Sequence, residues 1–209
     1  MFPATQIISL GPRCATAHNL RRYFNFRSTF PFDWWITPEE SIVKLLRNFD
    51  IDFVYSSAEL LRANSDGTVI HKSLDIGLHH EFPRQRSLET PLIVEDFLSY
   101  IEIPKQRTLY LFQKMFKLNV SGERLLFVRE KLSNSDIEDC LNVVFSVADW
   151  CLTSVEGPPG NDLHGWSGDP KIWDEVLASL AVELLPSRQC QVGGEYLSRD
   201  QQDFPTPEP

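Results

Sequence analysis

A cysteine near the start of a helix, with histidines within reach to take its proton, is the equipment of a thiol nucleophile. Cys14 is so placed, in the segment Ser9-Leu10-Gly11-Pro12-Arg13-Cys14. The run Gln6-Ile7-Ile8-Ser9-Leu10 reads as a short strand that Gly11-Pro12 breaks. Pro12 suits a first helical position, because the amide it lacks would be unpaired there, and Cys14 then falls in the first turn. Unpaired amides and the positive end of the helix dipole favour thiolate over thiol, and Arg13 adds a cation. The reaction class is attack of sulfur on a carbonyl carbon.

Of the five histidines, His18 follows Cys14 by four residues and shares its helix face. His79 and His80 precede Glu81-Phe82-Pro83, and strand alternation would send them to opposite faces, so at most one of them is expected to face Cys14. His71 and His164 read as surface or loop residues. Asp33 sits among Phe30, Pro31, Phe32, Trp34 and Trp35, where an unpaired carboxylate is costly. It either orients a histidine, as the third member of a triad does, or pairs with Arg13, Arg21 or the amides of its own loop.

Two rival readings use neighbouring residues. The Gly11 to Cys14 turn is a candidate phosphate cradle, with Arg13 and Arg129 as clamps for a nucleotide-sugar or other phosphate ligand. Arg129 follows the apolar run Leu125 to Val128, at a strand's carboxyl end, where open α/β sheets bind ligands. Alternatively, the aromatic loop from Phe30 to Trp35 meets a partner and the protein is a non-catalytic binder. Trp166-Ser167-Gly168-Asp169, followed by Trp173, reads as an anchored loop with Asp169 as a helix N-cap.

The elements that must position these residues follow from periodicity. Cys14, Ala17, Leu20 and Phe24 recur at helical spacing, and Thr37-Pro38-Glu39-Glu40 opens a second helix with Thr37 as its cap. Residues 57–63 suggest a short helix, Thr68 to His71 an extended stretch, and His79 to Phe82 a further strand. From Leu92 to Leu118 two helices are expected, interrupted at Ile103-Pro104. Leu125 to Val128 reads as a strand covered on both faces. A helix from Ser133 or Asn134 through Val147, an apolar stretch from Trp150 to Val155, and a last helix from Asp169-Pro170 to about Leu185 complete the pattern. Strand and helix alternate, which predicts a single layered α/β domain over residues 1–190, with a largely parallel or mixed central sheet flanked by helices. The tail over 191–209, rich in polar residues, Gly and Pro, is expected to be disordered.

With 42% hydrophobic residues, 209 residues suffice for one substantial core. The balance of 20 basic against 29 acidic residues, a net charge of −9, speaks against nucleic-acid and anionic-membrane partners. No window approaches the roughly 18 apolar residues of a spanning helix, and no basic stretch precedes a long apolar run, so a cytoplasmic chain is expected. The four cysteines show no CxxC spacing, so reduced thiols are expected, with no metal and no cofactor. Motifs for dinucleotides, P-loop nucleotides, zinc peptidases and serine hydrolases are absent from the sequence.

Taken together, SLGPRC at residues 9–14, the LRR that follows, PFDWW at 31–35, His80-Glu81-Phe82 and Phe127-Val128-Arg129 resemble a bacterial family of unknown function catalogued as papain-like cysteine peptidases. The resemblance covers most of the chain to about Leu185. It implies Cys14 as nucleophile, His80 rather than His79 as base, Asp33 as a potential orienter, a small-molecule or peptide substrate, and by its label a papain-like α+β fold as the alternative architecture.

Overall fold

The computed structural model describes residues 1–63, 68–85, 92–133, 135–158 and 166–186. His164, Cys190 and the tail lie outside them. β2 (Gln6–Ser9), β6 (Arg124–Glu130) and β7 (Asp149–Val155) form a parallel sheet in the order β2-β6-β7. β1 (Phe2–Ala4) leads into β2 through Thr5, whose amide donates to Arg124 O at 2.8 Å, and pairs on its other side with β8 (Val182–Leu184), again parallel. The chain therefore passes from the two-stranded β1-β8 pair directly into the three-stranded β2-β6-β7 sheet.

Alternation along the buried strands sorts side chains onto two faces. Ile7, Leu126 and Val128 pack with Ala15 and Leu20 of α1 (Cys14–Phe24) and with Trp173 and Leu177 of α6 (Pro170–Ala178). Ile8, Leu125 and Phe127 pack on the opposite face, with Ile42, Leu45 and Leu46 of α2 (Glu39–Arg47) and Ile137, Cys140 and Leu141 of α5 (Asp136–Val144). The long helix α4 (Glu102–Lys117) adds Phe112 and Met115 to this larger core. Helices cover both faces of a parallel sheet, so the layered α/β expectation holds and the papain-like α+β alternative does not.

Between α2 and α4 lie a short helix α3 (Ile51–Val54) and a small antiparallel sheet of β3 (Leu60–Arg62), β4 (Val69–His71) and β5 (Ile76–Leu78). Ile36 and Gly77 exchange two backbone hydrogen bonds of 2.9 Å, which tie this sheet to the aromatic loop. Residues 60–62 are thus strand where a helix was expected, and His79 and His80 occupy a turn after β5. α4 runs through Pro104 because the proline falls in its first turn, where amides have no intrahelical partner. The last helix stops at Ala178, and Ala181 at φ 48° turns the chain into β8, which the sequence did not announce.

Candidate functional site

Cys14 sits beyond the carboxyl end of β2, where a tight turn delivers it to α1. Gly11 holds φ 81°, a left-handed backbone that disfavours any other residue. Its amide donates to Ser9 Oγ at 3.3 Å and its carbonyl accepts from Glu130 N at 3.1 Å, while Pro12 O accepts from Thr37 N at 3.0 Å. α1 begins two residues later than expected, with Arg13 as N-cap and Cys14 as its first residue. The chain leaves β2 for the α1 face and leaves the adjacent β6 for the α5 face. The crevice at the carboxyl ends of these strands is the topological switch point at which open α/β sheets hold ligands.

The Cys14 thiol is half-buried. Burial pushes its pKa above the ordinary value, against the pull of the Cys14 and Ala15 amides and of Arg13. The expected thiolate is therefore corrected to a neutral thiol: desolvation outweighs the helix end. The first amides of α1 still favour negative charge that develops at this helix end.

His80 lies edge-on to Trp34, with ring centroids 5.5 Å apart, and 6.5 Å from Trp166. Trp166 in turn stands 5.1 Å from His18, one turn after Cys14 on α1. This chain of ring contacts brings His80, His18 and the start of α1 to one side of the molecule. Burial, followed by the charges of His79, Arg84 and Arg107, lowers the His80 pKa to about 4, and burial with Arg22 and Arg21 lowers that of His18. His80 is a neutral imidazole at pH 7. Among the described residues, no imidazole is hydrogen-bonded to Cys14 Sγ.

His79 does not face the opposite side of a strand, as alternation had implied. Its ring is 4.8 Å from that of His80, and its Nδ1 contacts Thr68 Oγ1 at 2.9 Å and Arg84 Nη2 at 3.2 Å. His71 is fully buried rather than a surface residue: its Nε2 donates to Phe53 O at 3.1 Å and its Nδ1 accepts from Leu74 N at 3.2 Å, which fixes the ring in a structural role.

Asp33 belongs to its loop. Its Oδ2 accepts from Arg21 Nη2 and from Phe30 N at 2.7 Å, closing the short 3-10 turn Pro31–Trp34. Of the two readings open in the sequence, the geometry fits the pairing with Arg21 and a loop amide. The carboxylate makes no bond to an imidazole among the described residues.

The clamps of the phosphate reading are engaged elsewhere. Arg13 Nη2 pairs with Glu130 Oε1 at 2.6 Å and donates to Pro158 O at 3.2 Å. Arg129 is 3% exposed and donates to Leu10 O, to Thr37 O at 3.2 Å and to Glu39 Oε1 at 3.2 Å. It braces the β2–α1 turn against α2 from within the crevice. Gly11 likewise spends its amide and carbonyl on the fold. The binding-loop reading loses Phe30, Phe32 and Trp35, all buried in the larger core, while Trp34 stays half-buried under the Arg21 guanidinium, 5.2 Å from its ring centroid.

Two residues near the histidines carried no site role in the sequence reading. Glu81, directly after His80, accepts from Trp35 Nε1 at 2.9 Å, from Tyr55 Oη at 3.3 Å and from Arg107, and its side chain is 3% exposed. Adjacent tryptophans thereby grip adjacent residues, Trp34 on His80 and Trp35 on Glu81. Trp166 belongs to the anchored loop expected there, but its indole is exposed rather than architectural. The signal for Glu81 was an acid between His80 and Phe82, legible only once a partner for it is known.

Among the described residues no group of His, Cys, Asp and Glu is arranged to hold a metal ion, and no helix is long and apolar enough to cross a membrane. No protein-family profile matches the chain, and no solved structure matches it. An uncharacterized protein of Acanthamoeba polyphaga mimivirus, R408, is 26% identical over 223 residues, covering 83% of this chain and 97% of the relative. The match runs nearly end to end on the viral side, and its name assigns no activity.

Proposed function

We propose that this protein is a cysteine-dependent hydrolase or acyltransferase, of the kind its resemblance to papain-like cysteine peptidases implies, with Cys14 as nucleophile and His80 as base. The observation that carries the reading is Cys14 as the first residue of α1, at the sheet's switch point, where the first amides of a helix have no intrahelical partner. A neutral imidazole on the same side of the molecule supports it.

With thiol and imidazole both neutral, the reaction starts with proton transfer rather than from a stored ion pair. His80 accepts the S–H proton as sulfur bonds to the acyl carbon, and the carbonyl oxygen takes up the displaced electron pair. The Cys14 and Ala15 amides are the donors for that oxyanion. Its collapse expels the leaving group, which takes the proton from His80 and leaves a thioester on Cys14. Water, or a second acceptor, then releases the acyl group. Catalytic hydrogen bonds that are long in a free enzyme commonly tighten with substrate, as the Cys14–His80 approach must.

The test is site-resolved alkylation with iodoacetamide across pH 6 to 10, with Cys151 as the internal reference. Cys14 labelling should climb with pH without a plateau near neutrality, as a raised thiol pKa requires. His80→Ala should slow it on the order of 100-fold. Cys14→Ala should remove that label and no other. An unchanged Cys14 rate and pH profile in His80→Ala would overturn the reading.

A further inference from the structure

We propose that Trp166, with Trp34 and the rings of His18 and His80, forms a wall that receives a flat aromatic group of the substrate next to the acyl carbon attacked by Cys14. The inference rests on the preceding reading of Cys14 and adds to it a substrate class.

Trp166 is 51% exposed, whereas Trp35 and Trp173 are exposed by 1% or less. An indole left in water is the informative exception, since so large an apolar ring normally finds cover. Here the ring is exposed on a backbone that is held in place. Ser167 O accepts from Asn19 Nδ2 and from Trp173 Nε1, both at 2.9 Å. Asn19 is 1% exposed and donates the same amide group to Ala15 O at 3.0 Å, in the turn of α1 that carries Cys14. One buried side chain thus sets the position of Trp166 relative to the nucleophile's own turn. A preorganised ring loses little freedom when a ligand meets it.

The rings already present meet edge to face, at interplanar angles of 69° for His18 with Trp166, 60° for His80 with Trp166 and 72° for Trp34 with His80. A further planar ring joins such a set in the same geometry. Tryptophans also bind cations, and the surrounding charge decides against that occupant. Arg21 already lies over Trp34, Arg21 and Arg22 act on His18, and His79, Arg84 and Arg107 act on His80. With the Arg21 guanidinium already over the Trp34 ring, an ammonium group there would meet a like charge, whereas an uncharged aromatic ring would not.

Two chloromethyl ketones built on the same N-acetyl scaffold, one phenylalanyl and one glycyl, test the proposal. In each, sulfur displaces chloride, forming a thioether, and the thiol proton and chloride leave as HCl. The phenylalanyl reagent should alkylate Cys14 at least about tenfold faster than the glycyl one. Trp166→Ala should bring the ratio near one, and Trp166→Phe should keep most of the preference. Equal rates in the wild type, or a preference that survives in Trp166→Ala, overturn the wall alone. Alkylation of Cys14 by neither reagent overturns the reading of Cys14, and the wall with it.

Discussion

At Asp33 burial and pairing pull in opposite directions. The carboxyl is 2% exposed, and desolvation carries its pKa from 3.8 to about 6 despite Arg21 and the Phe30 amide. Because the folded state holds this proton more tightly than the unfolded chain, stability falls as pH rises between these values. Below that window the cost is absent; above it the full cost, about 3 kcal/mol, is present. Asn at this position still accepts from Phe30 and Arg21 but does not ionise. Urea unfolding from pH 4 to 7 should therefore show Asp33→Asn gaining on the wild type as pH rises, and parallel curves would refute the assignment. The sequence made the need for a fixed partner plain, since Asp33 stands among aromatic residues. It could not choose between histidine and Arg21, because that choice depends on which face of α1 meets the loop. Cys14 shows the same limit: its helix position was legible to within two residues, but the burial that reverses its expected pKa shift comes from other elements.

Among elements, those carrying an unmistakable local signal were legible. The run Leu125 to Val128 is the heart of β6, and Asp169 caps α6 by accepting from Lys171 N at 2.8 Å. β4 was expected as the extended stretch from Thr68 to His71, but β3, β5 and β8 were not legible, because strands of three residues carry too little alternation and form through long-range pairing. The junction of β7 and α6 shows how tightly such elements meet. A Cβ added at Gly157 would lie 2.5 Å from the Trp173 ring and 3.1 Å from the Glu130 carboxyl carbon. Trp173 is fully buried and its Nε1 holds Ser167 O, so the ring cannot shift without releasing the loop that carries Trp166. Gly157→Ala should cost about 1–3 kcal/mol, the range for overpacking a well-filled site. Thermal unfolding measures that cost. The phenylalanyl preference at Cys14 should weaken in the same variant, whereas an unaltered melting temperature would show that the junction has slack.

At the scale of the whole molecule, one parallel sheet separates two cores that share a wall and no side chains. Ile42 of α2 is fully buried in the larger core, and Ile7 of β2 is 2% exposed in the smaller one with α1 and α6. Every strand of β2-β6-β7 faces both, so loss of either core removes the support of the same hydrogen-bonded layer. Unfolding should then be a single transition, with independent contributions from the two sides. Ile42→Val and Ile7→Val should each cost about 0.5–1.5 kcal/mol. Combined, the costs should add within about 0.5 kcal/mol, as for residues without shared partners. Denaturant unfolding followed by tryptophan fluorescence reads both sides, since Trp35 lies in the larger core and Trp173 in the smaller. Two resolved transitions would mean that the α1–α6 side, which carries Cys14 and Trp166, opens on its own. The position of Cys14 on the sheet would then be set by α1 and its loop rather than by the whole fold.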